Sequence, residues 1–384
     1  MKTIVKTLVC LAMSFVLAIT GSGICLGKDA PQPGAAPEEI LSDWLMQDFG
    51  KDGANKCFKS KTDAAAEAAA VQKVSKELGA IGKSFTAAAA KLMASKVPAN
   101  DPKWKELYTK ACTARRAKRL AALRGYCDKI VFTRHYEMGG SHYAYTEGLS
   151  DAQRERNFRP VSALCLLDVT GDTPTVETLI DSPQGVIRDP NISYDGKRIL
   201  FAWKKVDRKD DYHLYEMDVA TGKVRQLTFG LGFADYEGCY LPDGNIVFNS
   251  TRCVQIVDCW WTEVSNLYVC DKDGKFLRRI SFDQVHTNYP QVLDDGRVVY
   301  TRWDYNDRGQ LFPQPLFQMN PDGTSQTEYY GNNSWFPTTI AHARGIPGTT
   351  KVMAIATGHH TRQKGKLCVV DSQKGRQEAS GVQL

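Results

Sequence analysis

From residue 129 onward, apolar and polar positions alternate in short runs broken by turn residues, the period-two pattern of strands. Two registers interleave. In the first, segments 164–168, 214–218, 267–271, 316–320 and 367–371 each begin with Leu and end with an acid or its amide, at spacings of 50, 53, 49 and 51 residues. Three of them run into a turn (Thr221-Gly222, Asp273-Gly274, Asp322-Gly323) where Gly supplies the positive φ a hairpin needs. In the second, Asp195-Gly196, Asp243-Gly244 and Asp295-Gly296 each separate a short strand from an alternating apolar one: Ile199/Phe201/Trp203, Ile246/Phe248 and Val298/Tyr300. Each unit of about 50 residues therefore reads as four antiparallel strands: A before the Asp-Gly turn, B after it, C carrying the Leu segment, and D closing, as in 224–228. Such a unit is a β-propeller blade.

Five four-stranded blades are recognisable, so the expected fold class is an all-β propeller preceded by a small α-helical region. Blade one opens on its B strand, because Ile130-Val131-Phe132 match Ile199-Leu200-Phe201 and the sequence before them is helical. Blade five reaches its D strand near Leu384. A closed propeller lets the two chain ends share a blade. The expectation is a ring of six or seven blades whose missing A strand comes from sequence past 384, or a ring closed by a partner.

Residues 38–127 have a different texture, rich in the helix formers Ala, Lys, Glu and Leu, and predict two or three helices. In 39–47, Ile40, Leu41, Trp44 and Leu45 share one face, and Pro102 opens a later helix through Trp104, Leu107, Tyr108, Leu120 and Leu123. Arg115, Arg116, Lys118 and Arg119 are expected on its solvated face. A Pro/Gly/Ala linker (28–37) precedes this region, and 1–27 carry two lysines, an apolar run over 8–19 and small residues, the parts of a secretory signal. The run is short for a bilayer span, and no later stretch offers eighteen uninterrupted apolar residues, so no transmembrane segment is expected after cleavage. Ile24 stands where lipidation of Cys25 would want a small residue. Export to the periplasm or envelope follows.

The formal charge of +6 includes Lys2 and Lys6, leaving about +4 after cleavage, too little to imply nucleic acid. Eleven cysteines less Cys10 and Cys25 leave nine, with no C-x-x-C pair, which excludes zinc ribbons, thioredoxin chemistry and a c-type haem motif. Cys253 and Cys259, followed by Trp260-Trp261, are expected to staple the B-to-C loop of blade three with a disulfide; a metal or redox thiol pair is the alternative. Cys165, Cys270 and Cys368 lie in C strands and read as core.

In this strand order the D-to-A and B-to-C connections share one face, which receives the long loops and His135, His142, His286, His359 and His360, with His213 beside them. His342 is placed in a long A-to-B turn. Aligning A strands by their Asp-Gly turns sets Asp189, Glu237 and Tyr289 at one position just before the innermost strand, with Arg188, Tyr236 and Asn288 preceding them. These are the candidate ligand-binding residues, ringing the channel mouth where a metal, a carbohydrate or a peptide end could be held; capping strand ends is the plainer role. His359 and His360 with His135 or His142 form a candidate metal site, so a metal ion is the one cofactor considered. Arg302, Trp303, Asp304, Asp307 and Arg308 read as a salt-bridge network, with anion recognition as the alternative. The sequence holds no G-x-S-x-G, H-E-x-x-H, P-loop or G-x-G-x-x-G, and no catalytic motif names an enzyme.

The run 192–201 (ISYDGKRILF) and 241–248 (LPDGNIVF) resemble TolB-like propeller repeats. Ser250-Thr251-Arg252-Cys253 through Cys259-Trp260, His286-Thr287-Asn288, and Asp295-Gly296-Arg297 leading to Tyr300-Thr301-Arg302-Trp303-Asp304-Tyr305 resemble the propeller of the hydrazine synthase alpha subunit family, large exported proteins of planctomycete-type bacteria. The likeness covers about 128–384. It implies a six- or seven-bladed periplasmic propeller; the absence of C-x-x-C-H departs from the haem-bearing subunit, so no catalytic role is carried over. The leading expectation is an exported binding or scaffold module whose partner is an envelope protein or small ligand. The alternatives are a metal- or haem-dependent redox subunit and the propeller half of a hydrolase.

Overall fold

The computed structural model describes residues 37–136, 160–171, 174–206, 209–257, 263–305, 313–332, 334–358 and 365–384. These divide into two compact units, one mainly helical and one mainly of sheet.

The helical unit holds four helices, α1 (Pro37–Ala54), α2 (Ala65–Leu78), α3 (Gly82–Ala94) and α4 (Pro102–Leu123). The sequence reading undercounts them because only three residues, Gly79 to Ile81, part α2 from α3 inside one Ala-rich stretch. Asp101 caps α4 through its side chain and Pro102 takes the first turn, where no N–H is needed. Leu41, Trp44, Val71, Val74, Trp104 and Tyr108 form the core, while Leu123 is exposed. Arg115 corrects the sequence reading: it is buried, and its guanidinium holds both oxygens of the buried Asp48 at 2.8 Å and reaches Glu77 at 3.3 Å. Tyr108 donates to the same carboxylate at 2.6 Å. A 100° step per residue turns Arg115 toward α2 while Lys118 and Arg119 stay exposed, a distinction a run of like charges conceals.

The sheet unit is a five-bladed β-propeller of antiparallel sheets. Blade one has three strands among the described residues, β1 (Lys129–His135), β2 (Ser162–Asp168) and β3 (Thr175–Ser182). Blade two is β4 (Val186–Ile192), β5 (Arg198–Lys204), β6 (His213–Asp218) and β7 (Val224–Gln226). Blade three is β8 (Asp235–Tyr240), β9 (Ile246–Ser250), β10 (Asn266–Cys270) and β11 (Arg278–Arg279). Blade four is β12 (Thr287–Val292), β13 (Val298–Arg302), β14 (Leu316–Met319) and β15 (Thr327–Tyr330). Blade five is β16 (Thr339–Gly345), β17 (Val352–Thr357), β18 (Lys366–Val370) and β19 (Val382–Gln383). The Leu-led segments are the C strands, and the Asp-Gly turns carry Gly at positive φ, 71° at Gly196 and 88° at Gly244.

Blades two to four are buried on both faces. Ile246 and Phe248 of β9 face Leu200 and Leu214 of blade two, while Val247 of the same strand faces Val298 and Tyr300 of blade four. Blade one meets blade two through Val131, Leu164, Ile187 and Phe201. Each fully buried aliphatic side chain contributes about 1.5–3 kcal/mol, which makes blade-to-blade contact the principal stabilisation of the ring. Cys165, Cys270 and Cys368 are core residues as expected. No helix among the described residues is long and apolar enough to cross a membrane.

Candidate functional site

The A strands β4, β8, β12 and β16 share a defect that builds the site. Each pairs with its B strand up to Arg188, Tyr236, Asn288 or Ala341, skips two residues, and resumes at Asn191, Cys239, Gln291 or Arg344. The first residue of each bulge has a left-handed backbone: Asp189 at φ 55°, Glu237 at 53°, Tyr289 at 59° and His342 at 55°. None is Gly, and such conformations in non-Gly residues cost about 1 kcal/mol or more each. The second residue is Pro190, Gly238, Pro290 or Ala343, small or without an N–H to strand. Asp189, Glu237 and Tyr289 are thus equivalent, but they lie inside the innermost strand rather than just before it, because the bulge is part of the ladder.

His342 is the fourth member and corrects its assignment to an A-to-B turn. It sits in β16, and the turn begins after Gly345. Blade five closes that turn with Ile346-Pro347-Gly348 in place of Asp-Gly, so an alignment on Asp-Gly passes it by. The spacings 48, 52 and 53 from Asp189 through Glu237 and Tyr289 to His342 were the available signal. Asn249, also missed, stands opposite Tyr236 on β9 and donates to Glu237.

The four side chains differ in access. Glu237 and Tyr289 are buried, whereas Asp189 and His342 are partly exposed. Arg188, buried against the rings of Tyr236 (5.0 Å) and Tyr212 (5.7 Å), donates through Nε to Asp189 Oδ2 at 2.5 Å and through Nη2 to Glu237 Oε1 at 3.2 Å. Glu237 Oε2 accepts from Tyr289 N at 2.6 Å, and Glu237 N donates to Asp189 Oδ2 at 3.2 Å. One residue of blade two is thereby tied to blade three, and blade three to blade four. Burial foremost, then the Asp189 carboxylate, push the Glu237 carboxyl up to about 8 against the pull of Arg188. Burial alone would lower the Arg188 guanidinium, and the two carboxylates more than reverse it.

His342 lies against Tyr289 with ring centroids 3.9 Å apart, and burial, helped by the Arg344 and Arg188 charges, lowers it to about 3. It is a neutral imidazole at physiological pH. Burial lowers His135 too, and the charges of Arg188 and Asp189 both act on it, which sets the end of β1 beside the ring. Its Nδ1 stands 2.7 Å from Tyr136 O.

His286 and Asn288 belong to a buried cluster at the entry to β12. His286 Nδ1 accepts from Ser265 N at 3.1 Å, its ring stacks on Trp303 at 5.5 Å, and burial lowers it to about 3. Asn288 Oδ1 accepts from Ser265 Oγ at 3.3 Å. His213 is held by Gly230 O at 2.8 Å and lies 3.5 Å from Asp235. Despite burial, which raises Asp235, its bonds to His213 and to the Arg252 guanidinium (2.9 and 2.7 Å) hold it below the usual carboxylate range. Arg302 joins Asp283 at 3.0 Å and Asp304 at 3.2 Å, a salt-bridge network as expected. Cys253 is a free thiol donating to Val264 O at 3.1 Å. Its expected partner Cys259 lies outside the described residues, as do His142, His359, His360, Asp307 and Arg308. Among the described residues no three His, Cys, Asp or Glu converge as a metal would require.

No family model and no curated protein matches the chain. Among solved structures, Kuenenia stuttgartiensis hydrazine synthase aligns over 67% of this chain and 38% of its own, at 16% identity and a TM-score of 0.51. TolB from Acinetobacter baumannii aligns over 67% and 70% at 14% identity and 0.42, and a putative TolB from Agrobacterium tumefaciens over 44% and 56% at 25% identity and 0.35. The chain thus spans under two-fifths of the hydrazine synthase chain it matches. At this identity the likeness carries the fold: the repeating part of the chain is a β-propeller of the kind found in hydrazine synthase.

Proposed function

We propose that the chain is an exported β-propeller acting as a binding or scaffold module, with its ligand site at the channel mouth on the face of the D-to-A and B-to-C connections. The observation that carries this reading is the ring of four different polar side chains held at four equivalent left-handed bulges. Backbone strain repeated at one place in four blades, each time under a side chain other than Gly, favours a use for those side chains. Asp189 and His342, the two with solvent access, contact the ligand; Arg188 and Glu237, the latter held by Asn249, position Asp189, and the buried Tyr289 ring backs His342. A carboxylate beside a neutral imidazole suits a small polar ligand with hydroxyl or ammonium donors, such as a sugar or a peptide end. His135 lines the approach, while His286 and Asn288 are buried and take no direct contact.

The propeller begins near residue 128 and the helical segment 38–127 is a separate unit, a division supported by their separate cores. The signal-like residues 1–27 support export, and an oxidising compartment would pair Cys253 with Cys259.

The site reading is tested by screening sugars, dipeptides and dicarboxylates for thermal stabilisation, with Asp189→Asn and His342→Phe as controls. A ligand whose stabilisation falls at least about tenfold in apparent affinity in either variant supports it. Ligands that bind both variants as tightly as the parent chain count against this site. Fractionation of cells expressing the full gene tests export, and retention in the cytoplasm counts against it.

A further inference from the structure

We propose that Arg344 is the anion-recognising residue of the channel-mouth site, so that the ligand carries a carboxylate held by Arg344 and His342 and a hydroxyl or ammonium donor held by Asp189. The proposal rests on the reading of the ring as a binding site and narrows it to one class, small carboxylates that also bear a donor.

Three groups of the ring have polar atoms that the fold leaves unused. Asp189 accepts both of its hydrogen bonds, from Arg188 Nε and Glu237 N, on Oδ2, which leaves Oδ1 without a partner among the described residues. His342 lies against the Tyr289 ring, and among the described residues no hydrogen bond reaches either of its ring nitrogens. Glu237 is the contrast: Oε1 accepts from Arg188, and Oε2 accepts from Asn249 and Tyr289 N, so it has nothing to offer a ligand.

Arg344 is the third unused group. It rejoins the ladder just after the blade-five bulge, opposite Met353, which makes Asn191, Cys239 and Gln291 its counterparts in the other blades. Those three reach one another's blades: Asn191 Oδ1 accepts from Tyr240 N at 3.2 Å, and Cys239 Sγ stands 3.9 Å from Gln291 Oε1. Arg344 is half-buried, yet its side chain makes no ion pair and no hydrogen bond among the described residues. Arg188, Arg198, Arg225, Arg252, Arg297 and Arg302 of the same propeller each hold a carboxylate. A half-buried guanidinium without a counter-charge is unfavourable, and a carboxylate fits its planar fork of N–H donors.

The three groups share one place. Arg344 and His342 are two residues apart on the innermost strand of blade five. The charges of Arg344 and Arg188 both act on His342, which brings the Arg188–Asp189 pair into range of the same imidazole. Burial keeps that imidazole neutral at physiological pH, so it offers an N–H without repelling an ammonium. A cation, a neutral donor and an anion together complement a ligand with a carboxylate at one end and a donor at the other. A neutral sugar leaves the guanidinium unmet, and a plain amine is repelled by it.

The test follows the His342 imidazole by NMR in the full chain, its signal assigned by loss in His342→Phe. Alanyl-alanine and galacturonate are the carboxylate probes; alanyl-alanine amide and galactose are their uncharged-end controls. The carboxylates should move the signal with apparent Kd of about 1–10 mM, and the controls should bind at least about tenfold more weakly. Arg344→Gln should remove that advantage, and Arg344→Lys should restore part of it, since it keeps the charge and loses the fork. Asp189→Asn separates the two sources, because it removes the charge that an ammonium needs and keeps an acceptor for a hydroxyl. Controls that bind as tightly as the carboxylates, or carboxylates that bind Arg344→Gln unchanged, overturn the role of Arg344 and leave the channel site standing. If no probe moves His342, both fall. Without ligand, Arg344→Gln should keep Tm within about 1 °C of the parent. A fall of several degrees overturns the proposal, since the guanidinium is then already paired within the chain.

Discussion

Replacing Arg188 with Met tests whether the ring residues are tied into the fold as the distances indicate. The guanidinium has 4% side-chain exposure and bonds two carboxylates, Asp189 and Glu237, of which the second is 7% exposed. Removing one partner of a buried ion pair costs about 3–5 kcal/mol, because the other charge stays buried and unpaired. Met recovers apolar contact with Tyr212 and Tyr236, while the cation–π attraction to those rings is lost at about 0.5–2 kcal/mol each. The net expectation is a loss of about 4 kcal/mol, or about 10 °C in Tm for a unit of this size. At pH 9, above the value of about 8 to which burial pushes Glu237, Glu237→Gln keeps an oxygen for Tyr289 N and removes one charge, so it should cost less, and the double variant should be at least about 2 kcal/mol more stable than the sum of the singles. Urea unfolding followed by Trp fluorescence measures all three. A single-variant loss under about 1 kcal/mol, or additivity in the double, would refute the network.

Acid sensitivity should divide between two ring residues of opposite sign. Glu237 has its folded value raised from 4.5, so its contribution is complete below 4.5 and is lost as pH rises toward 8; Glu237→Gln should flatten that decline in a pH series of urea midpoints. His342 has its folded value depressed from 6.5, so its contribution is present above 6.5 and is lost as pH falls; His342→Phe keeps the ring against Tyr289 and should reduce the loss below pH 6.5 in the same series. In the helical unit, Asp48→Asn leaves Arg115 buried beside an amide and should cost about 3 kcal/mol by circular dichroism, with Tyr108 unable to restore it. Gly274→Ala sets a Cβ 2.0 Å from Leu227 O at φ 74° and should lower Tm by several degrees, whereas Ala at Gly222, with φ 68° and open space, should cost only about 1 kcal/mol.

The blades were legible because two independent periodicities, the Leu-led C strands and the Asp-Gly turns, obey local rules of alternation and positive φ. Equivalence of Asp189, Glu237 and Tyr289 followed from the turns. Their left-handed backbone did not, since Asp, Glu and Tyr carry no local preference that marks a bulge; only the recurrent Pro, Gly, Pro, Ala that follows them hints at one. Arg115 was misread for a related reason. A charge run reports composition, while burial depends on which 100° step faces a neighbouring helix and on an Asp 67 residues away. Long-range pairing of that kind leaves no trace in a short window.

The ring also separates two demands that a single side chain could not meet. A binding residue needs solvent access, and a residue that locks one blade to the next needs burial and a full set of partners. Glu237 satisfies the second: Arg188, Asn249 and Tyr289 N all donate to it across three blades. Asp189 and His342 have the solvent access the first needs, each held on one side by a buried neighbour, Arg188 in one case and Tyr289 in the other. Because the same bulge presents all four, the proposed binding role would let substitution at the exposed pair change what is bound while the buried pair keeps the blades in register. On that proposal, a repeated strained bulge with unequal burial would be a way to vary a ligand site on a propeller without rebuilding it.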